Sequence, residues 1–269
     1  MIDGTVGMGG HAEALLTMTP ADVRLLGLDA DPEVLSHARA RLGRFGGRVA
    51  LEHSNFRDLA SAARRHGIVR AEGVLLDLGI SSYQLDASGR GFSFQGDEPL
   101  DMRLDPTTGR TAATVLNQVP EPELARVIAE HGNEPHARRI ARAIVRRRPL
   151  RTTRDLVAAV QSAVPRRAWP RRLHVATRTF QAIRMAVNDE PGALRQALPD
   201  AAELLSPRAR LAVISFHSGE DRIVKQTFRS LASAGFAELE PSPLVPGDDE
   251  VRENPRARSA KLRVLEREP

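Results

Sequence analysis

Two nearly continuous apolar runs constrain the fold of this chain more than any other feature. They read VLLDL at residues 74–78 and LAVISF at residues 211–216. Runs of this kind are typical of strands that are covered on both faces of a parallel sheet. They therefore predict an α/β fold with a buried sheet.

Strand and helix patterns alternate around these two runs. Further strands are predicted within residues 23–31, 48–56 and 260–268, and the run at 74–78 is expected to end near Asp77. Helical patterns lie between the strands, at residues 11–18, 31–45, 57–67 and 220–235. Strands and helices alternating at this spacing indicate βαβ units and a parallel sheet.

The pattern changes near Asp105, and from Ala112 to about Leu198 no strand is predicted. Helical segments follow one another there and are interrupted by prolines. We therefore expect an α/β domain in two parts, residues 1–104 and 198–269, with an all-helical insertion at residues 105–197.

Composition limits the class of protein. The chain has 269 residues, of which 41% are hydrophobic and 27% charged, as is typical of a soluble globular protein. No apolar run approaches a membrane span, and no signal peptide is visible at the start. Without cysteine there are no disulfides and no thiolate metal sites, and no other metal-binding pattern is present. We expect a cytoplasmic protein.

The insertion contains a strongly basic segment. Residues 138–184 hold fourteen arginines, no lysine and a single acid, Asp155. Biased codon usage can raise arginine throughout a chain, and lysine is indeed rare here, but such bias does not remove acids from one segment. The segment therefore predicts contact with a phosphate-rich partner such as nucleic acid.

A glycine-rich loop opens the chain. Residues 7–12 match G-x-G-x-x-A, a pattern that lets the backbone approach a nucleotide-like cofactor. Asp29 follows at the end of the next predicted strand, where an acid can accept hydrogen bonds from ribose hydroxyls. Asp31 competes for that role, although an aspartate before Pro32 also suits a helix N-cap. Both NAD and S-adenosylmethionine (SAM) fit this much.

Asp77 is the next candidate, because open α/β sheets bind ligands at the carboxyl ends of their strands. Ser81 and Ser82 follow in a polar turn, and acceptors at this position can orient the N–H bonds of a target amine. The alternative is a strand that simply ends in a capping aspartate. Asp101 and His217 are weaker catalytic candidates.

Two further segments have candidate roles beside a structural alternative. Residues 89–105 form a glycine-rich loop with Phe92 and Phe94, either of which could stack a flipped base or pack in the core. A helical pattern at residues 174–190 is amphipathic, and its Arg178 and Arg184 are expected to face outward and contact phosphate.

Taken in order, these motifs resemble the RsmH/MraW family, bacterial SAM-dependent 16S rRNA cytosine-N4 methyltransferases. The resemblance spans nearly the whole chain. The segments that carry it are DGTVGMGGH, LDADP, LLDLGISSYQLD, RGFSF, PLDMRLD, RRIARAIV, ATRTFQAIRMAVN, ISFHSGEDRIVK and NPRARSAKLR. It implies a class I, Rossmann-like SAM methyltransferase domain with a helical insertion, acting on a cytosine of the decoding centre in the small ribosomal subunit.

The resemblance also implies which residues bind and react. SAM-binding residues would be Gly9, Gly10, His11, Asp29, Phe56, Asp77 and Gln84, of which Phe56 and Gln84 come from the resemblance alone. Asp77, Ser81 and Ser82 would contact the target amine. The RNA-binding arginines would be Arg146, Arg147, Arg148, Arg178 and Arg184.

The chain departs from the family pattern at three places. Tyr83 stands where proline is common, and Gly219 where leucine is usual; we expect both to be tolerated. The family also has a segment with the first strand before the glycine loop, whereas here Met1 to Asp3 would be only the tail of that central strand. We therefore expect a weakened sheet centre and poor SAM affinity for the 269-residue chain.

Alternative functions stay open from the sequence. One is a SAM methyltransferase with another amino target, in DNA or protein, and a second is an RNA-binding module without catalysis. An NAD dehydrogenase is the third, although nothing after the third strand supplies hydride chemistry. The protein is expected to act as a monomer or homodimer.

Overall fold

The computed structural model describes residues 1–171 and 173–269, so Arg172 of the basic segment lies outside the described residues. The chain forms two compact units. The first, which we call the sheet unit, comprises Met1–Ser81 and Pro191–Pro269. The second, the helical unit, comprises Ser82–Glu190.

One seven-stranded sheet organises the sheet unit. The strand order is β3-β2-β1-β4-β5-β7-β6, and β1 to β5 are joined by parallel pairings while β7 runs antiparallel to both its neighbours. The strands are β1 (Ile2–Asp3), β2 (Leu25–Asp29), β3 (Val49–His53), β4 (Ala71–Asp77), β5 (Leu205–Ser215), β6 (Phe236–Glu238) and β7 (Lys261–Arg267). The predicted Rossmann-like α/β fold is confirmed.

The two apolar runs form the ends of β4 and β5 in the middle of this sheet. One face of these strands is fully buried, whereas Leu75, Ala212 and Ile214 on the other face are half-buried, so the predicted burial on both faces is only partial. Leu76 of β4 and Leu211 of β5 have no solvent exposure and belong to one core cluster. On β2, Leu26 and Leu28 join the same cluster, whereas Leu25 packs into a second one. Because neighbouring residues of a strand point to opposite faces, both faces of the sheet are covered around β2.

Six helices belong to the sheet unit or begin at its edge: α1 (Gly10–Met18), α2 (Pro32–Leu42), α3 (Leu59–Arg65), α10 (Glu190–Glu203), α11 (Ser218–Leu231) and α12 (Asp248–Glu253). The start of α2 shows how the sequence sets a boundary. The Asp31 carboxylate accepts the Glu33 N–H at 3.1 Å, and Pro32 occupies the first turn, where its missing N–H costs nothing. Asp31 therefore has the N-cap role.

Strand β1 is short and central. Ile2 and Asp3 pair with Leu26 and Gly27 of β2 on one side and with β4 on the other. The strand order changes direction here, since β2 and β3 lie to one side and β4 and β5 to the other. Such a reversal leaves a crevice at the carboxyl ends of the central strands, which is where open α/β sheets bind ligands.

The helical unit contains α4 (Ser82–Asp86), α5 (Ala112–Gln118), α6 (Glu121–Gly132), α7 (Ala137–Arg146), α8 (Thr153–Ala163) and α9 (Thr177–Asn188). Its described residues contain no strand, only an isolated bridge between Pro99 and Thr152. The helical character predicted for this region is confirmed. The limits predicted for the insertion, residues 105–197, stay a prediction.

Asn188 ties together two distant stretches of the helical unit. Its Nδ2 donates to the carbonyl of Met102 at 2.8 Å, and its Oδ1 accepts the N–H of Leu104 at 2.7 Å. The next residue, Asp189, has a positive φ of 47° and ends α9. One side chain thus joins the end of the last helix to the loop before α5.

Candidate functional site

The glycine loop connects β1 to α1. Gly7 and Gly9 have φ values of 55° and 84°, which favour glycine because a Cβ strains this conformation. Gly9 also lies close to α2, since a Cβ there would meet the Leu42 side chain at 3.2 Å. The loop can therefore present its backbone, and not side chains, to a ligand.

Asp29, at the end of β2, holds the loop in place. Its Oδ2 accepts the Gly7 N–H at 2.9 Å, and its Oδ1 accepts the Asp31 N–H at 2.9 Å. Burial raises the pKa of Asp29 to about 6, against the lowering effect of these two backbone hydrogen bonds. Of the two aspartates that compete in the sequence, Asp29 contacts the loop and Asp31 caps a helix.

Asp3 is a candidate site residue that the sequence analysis did not identify. It ends β1 with 1% of its surface exposed, its Oδ1 accepts the Thr5 N–H at 3.1 Å, and its Oδ2 has no partner among the described residues. Burial raises its pKa to about 7; Asp29 and Asp77 add to the rise, and the Thr5 N–H opposes it. An acid directly before a glycine-rich loop is the signal that could have identified it.

Asp77 ends β4 beside this loop. Its backbone N–H donates to Thr5 Oγ1 at 2.6 Å, and its Oδ2 lies 3.3 Å from His11 Nε2 in the first turn of α1. This contact raises the pKa of His11. The second carboxylate oxygen, Oδ1, is buried without a partner among the described residues. A buried acceptor of this kind is costly unless a ligand satisfies it.

Three neighbouring strands therefore end in carboxylates, which we call the acidic edge: Asp3, Asp29 and Asp77. Each of the other two carboxylates raises the pKa of Asp3, so the three interact. Such an edge favours a ligand that brings positive charge and hydroxyl donors. It disfavours a phosphate at the same place, since like charges in a partly buried site repel strongly.

The remaining predicted site residues lie as follows. Phe56 follows β3 in a short 3₁₀ turn and packs, half-buried, against the core of the sheet unit. Gly10 is the first residue of α1, and Ser81 is the last residue of the sheet unit's first part. Ser82 and Gln84 belong to α4 of the helical unit, where Gln84 is 4% exposed.

The two weaker catalytic candidates have structural partners. His217 caps α11, because its Nδ1 accepts the N–H groups of Gly219 and Glu220 at 3.2 and 3.3 Å. Its Nε2 lies 2.9 Å from the Glu220 carboxylate. Asp101 accepts two hydrogen bonds from the Arg103 guanidinium, and although burial raises its pKa, these bonds hold it below the ordinary value.

The five predicted RNA-binding arginines differ in their surroundings. Arg146 and Arg147 are exposed at the end of α7. Arg148 is half-buried and donates to the carbonyls of Leu116 and Val119. Arg178 is also half-buried and donates to the Asn133 carbonyl at 3.3 Å.

The predicted outward orientation of Arg184 is wrong. Its side chain is 13% exposed and forms two parallel hydrogen bonds, of 2.8 and 2.7 Å, with the Glu190 carboxylate. A fork of this kind fixes the guanidinium and satisfies its charge. The pairing needs the turn at Asp189, which reverses the chain between the two residues.

The two phenylalanines in the loop of residues 89–105 differ in their surroundings. Phe92 is 6% exposed and belongs to the core. Phe94 is half-buried and stacks on His174 with ring centroids 4.6 Å apart, while Phe180 meets it edge-on at 5.5 Å. Of the two phenylalanines, Phe94 is therefore the one with a ring near the surface.

None of the described helices is long and apolar enough to cross a membrane. Within residues 1–171 and 173–269, no group of three or more histidine, aspartate or glutamate side chains is arranged to hold a metal ion.

Comparison with known proteins gives the family. "Ribosomal RNA small subunit methyltransferase H" of Geobacter sp. (strain M21) is 46% identical over 285 residues, which cover 99% of this chain and 91% of that protein. The protein of the same name from Syntrophotalea carbinolica is 48% identical with the same coverage. A solved rRNA methylase from Streptococcus thermophilus superposes with a TM-score of 0.47 at 11% identity, over 100% of this chain and 86% of that one. Residues 1–268 match the MraW methylase family, and the chain belongs to that family.

Proposed function

We propose that this protein is a SAM-dependent methyltransferase that methylates N4 of a cytosine in the decoding centre of 16S rRNA. Family membership supports methyl transfer, and the names of the relatives support small-subunit ribosomal RNA as the substrate. The acidic edge is the observation in the structure that carries the choice of cofactor. An enzyme with this substrate works in the cytoplasm on the small ribosomal subunit.

The acidic edge favours SAM over NAD. SAM carries a positive sulfonium and an ammonium group as well as a ribose, whereas NAD brings a negatively charged pyrophosphate to the glycine loop. Asp3 offers a buried oxygen without a partner, and Asp77 offers another. Both are the acceptors that a cationic ligand requires, so the described residues fit SAM.

Each proposed cofactor residue has a role that its position supports. Gly9 and Gly10 would place their backbone close to the cofactor at the start of α1, with His11 beside them. Asp29 would accept the ribose hydroxyls, and Phe56, which follows β3, would lie against adenine. Gln84 would complete the site, as the family resemblance implies.

SAM would supply an electrophilic methyl group, and the chain's own residues would prepare the amine that attacks it. The exocyclic nitrogen of cytosine is a poor nucleophile because its lone pair is delocalised into the ring. Asp77, with Ser81 and Ser82, would accept hydrogen bonds from its N–H groups and return electron density to the nitrogen. Holding an amine in line with the methyl group can lower a barrier of this kind by roughly 7–11 kcal/mol.

The target base would have to leave its stack to reach the acidic edge, at a cost of a few kcal/mol. The helical unit would hold the surrounding RNA. Its exposed arginines, Arg146 and Arg147 among them, supply charge for the phosphates.

The test is mass analysis of small-subunit rRNA from a bacterial strain that lacks its own copy of this enzyme. Expression of this chain should restore one methyl group on a cytosine amine, and expression of an Asp77→Asn variant should not. A matched variant is Asp22→Asn, which changes an exposed acid before β2 and should restore methylation fully. Methylation of DNA or protein with unmodified rRNA would contradict the proposal, and so would the absence of any methylation.

A further inference from the structure

A groove of about 610 Å³ opens on the helical unit between α6 and the start of α7. Its charged lining is largely cationic: Arg126 comes from α6, and His136, Arg138 and Arg139 come from the beginning of α7. None of these residues belongs to the set that the family resemblance implies for RNA.

The first turn of α7 has an unusual charge. Helix N-termini carry a partial positive charge and normally attract acids, yet this turn holds no acid and places two arginines, Arg138 and Arg139, at its second and third positions. Both are exposed, and neither has a carboxylate within ion-pair distance among the described residues. Residues that break a local rule without an internal compensation mark a site with another purpose.

The acids near the groove do not neutralise it. Glu134 lies in its wall, but it is 8% exposed and its carboxylate accepts the His136 N–H at 2.9 Å. Arg126 pairs with Glu130 on the outside of α6, where both side chains are more than half exposed. An exposed pair of this kind contributes little and exchanges readily for a stronger partner.

The cationic surface continues along α7. Its buried face consists of Ala137, Ile140, Ala141 and Ile144, so the opposite face is occupied by arginines. Arg142 and Arg146 follow the two arginines of the first turn, and Arg142 is held loosely by Glu121 at 3.4 Å. Of these four arginines, Arg146 alone belongs to the set that the family resemblance implies for RNA. At a rise of 1.5 Å per residue, the stripe from Arg138 to Arg146 is ~12 Å long.

We propose that this groove and the arginine stripe of α7 bind the phosphodiester backbone of the substrate RNA. The inference rests on the proposed function, because it takes RNA as the partner. A linear series of guanidinium groups matches a linear series of phosphates, and each planar fork can hold two phosphate oxygens. The exposed lining leaves the charge available to a polyanion.

The decisive variants change Arg138 and Arg139 together in the full chain. In Arg138→Ala/Arg139→Ala, loss of two phosphate contacts should reduce the slope of log K against log salt by about 1.4–1.8, and affinity at 0.15 M salt by about 10–30-fold. The probe is an in vitro transcript of the complete small-subunit rRNA, titrated over several salt concentrations. SAM affinity and kcat at saturating RNA should stay unchanged while KM for RNA rises.

A charge reversal separates binding from folding. Arg138→Glu/Arg139→Glu puts acids in the first turn of α7, where they suit the helix dipole, so its Tm should equal or exceed that of the wild type. Its RNA affinity should nevertheless fall further than that of the alanine variant. The matched control, Arg39→Ala/Arg229→Ala, removes two exposed arginines from α2 and α11 of the sheet unit and should bind RNA like the wild type.

The outcomes of these experiments distinguish failure of the groove inference from failure of the proposed function. An unchanged salt slope in both groove variants, with normal RNA binding by the wild type, would overturn the inference and leave the proposed function intact. A defect seen only with particles that contain ribosomal proteins, and not with the naked transcript, would identify a protein partner and also overturn it. Salt-dependent binding through the groove without methylation would support the inference while the proposed function fails.

Discussion

The acidic edge of the sheet unit and the arginine stripe of α7 both carry charge that the protein itself leaves partly uncompensated, but they do so in opposite ways. At the edge, burial raises the pKa of Asp3 and Asp29, and buried oxygens of Asp3 and Asp77 have no partner among the described residues. On α7, Arg138 and Arg139 are exposed to water.

Burial and exposure determine which kind of ligand each surface can recognise. Buried charges interact strongly at short range and select one ligand of defined shape, so they suit a small cofactor. Exposed charges are screened within about 8–10 Å by physiological salt and select for charge density more than for shape. The same chain can therefore hold a cationic small molecule and an anionic polymer.

The largest effect should come from an arginine that belongs to neither surface. Arg184→Ala would leave the Glu190 carboxylate buried without its partner and lower the free energy of unfolding by about 3–5 kcal/mol. Urea denaturation measures this. The exposed Arg146→Ala is the control and should change stability by less than about 0.5 kcal/mol. Equal stability of the two variants would show that the Arg184 pair does not contribute.

Asp77→Asn tests the acidic edge as a reaction site. The amide keeps the size of the side chain but removes the charge that would orient the target amine, so single-turnover methyl transfer should fall about 10²–10³-fold. SAM binding is measured separately by calorimetry, and the reaction is run with the enzyme saturated. Full turnover with normal SAM binding would remove Asp77 from the proposed mechanism.

Replacing Arg146, Arg147 and Arg148 together should weaken RNA binding and flatten its salt dependence, with SAM affinity intact. The three arginines should not contribute equally, because Arg146 and Arg147 are exposed and Arg148 is half-buried. Arg146→Ala/Arg147→Ala should account for the change in salt slope, because these two side chains are exposed.

Arg148→Ala alone should keep the salt slope and lower stability by about 1–3 kcal/mol, since it leaves the carbonyls of Leu116 and Val119 without their donor. A salt slope that depends on Arg148 as much as on its two neighbours would contradict this division.

The last effect concerns pH. Because the pKa of Asp3 is raised to about 7 in the fold and is near 4 in the unfolded chain, the folded state binds the extra proton between these values. The contribution of Asp3 to stability is therefore present at low pH and lost as pH rises through 7. Asp3→Asn should match the wild type near pH 3, where the carboxyl group is protonated in both states, and should have a higher Tm near pH 8, by about 2–4 °C for each kcal/mol of stability regained.

A Tm for Asp3→Asn below that of the wild type at pH 8 would show that the ionised carboxylate stabilises the fold. Repeating the scan with SAM sharpens the test, since a cationic ligand beside Asp3 favours its ionised form. The stabilisation by SAM should then be larger in the wild type than in the variant at pH 8.

Periodicity and turn chemistry were sufficient to predict most of the sheet. The strands β2 to β5 and β7 have apolar patterns that alternate along the chain with helical patterns, and Asp31 with Pro32 marks the start of α2. Strand β6 was missed because its three residues, Phe236–Glu238, are too few to show a period. Helix α12, Asp248–Glu253, was missed because it is mostly acidic and buries no residue.

The candidate site was predicted in part for a similar reason. Asp29 and Asp77 follow recognisable strands, whereas Asp3 ends a strand of two residues and becomes notable only once its neighbours β2 and β4 are known. Among the arginines, sequence alone cannot tell Arg184 from Arg146. Burial of Arg184 depends on Glu190, which reaches it only after the turn at Asp189.

Asn188 links two distant stretches of this chain by hydrogen bonds, as a disulfide does covalently in proteins that contain cysteine. Its amide joins Met102 and Leu104 to the end of α9, and so closes a ring of more than eighty residues that contains helices α5 to α9. The entropy lost on closing such a ring grows only with the logarithm of its length. A longer ring therefore costs little more to close than a shorter one. The helices inside the ring can therefore change in length during evolution while the hydrogen bonds of Asn188 to Met102 and Leu104 are kept.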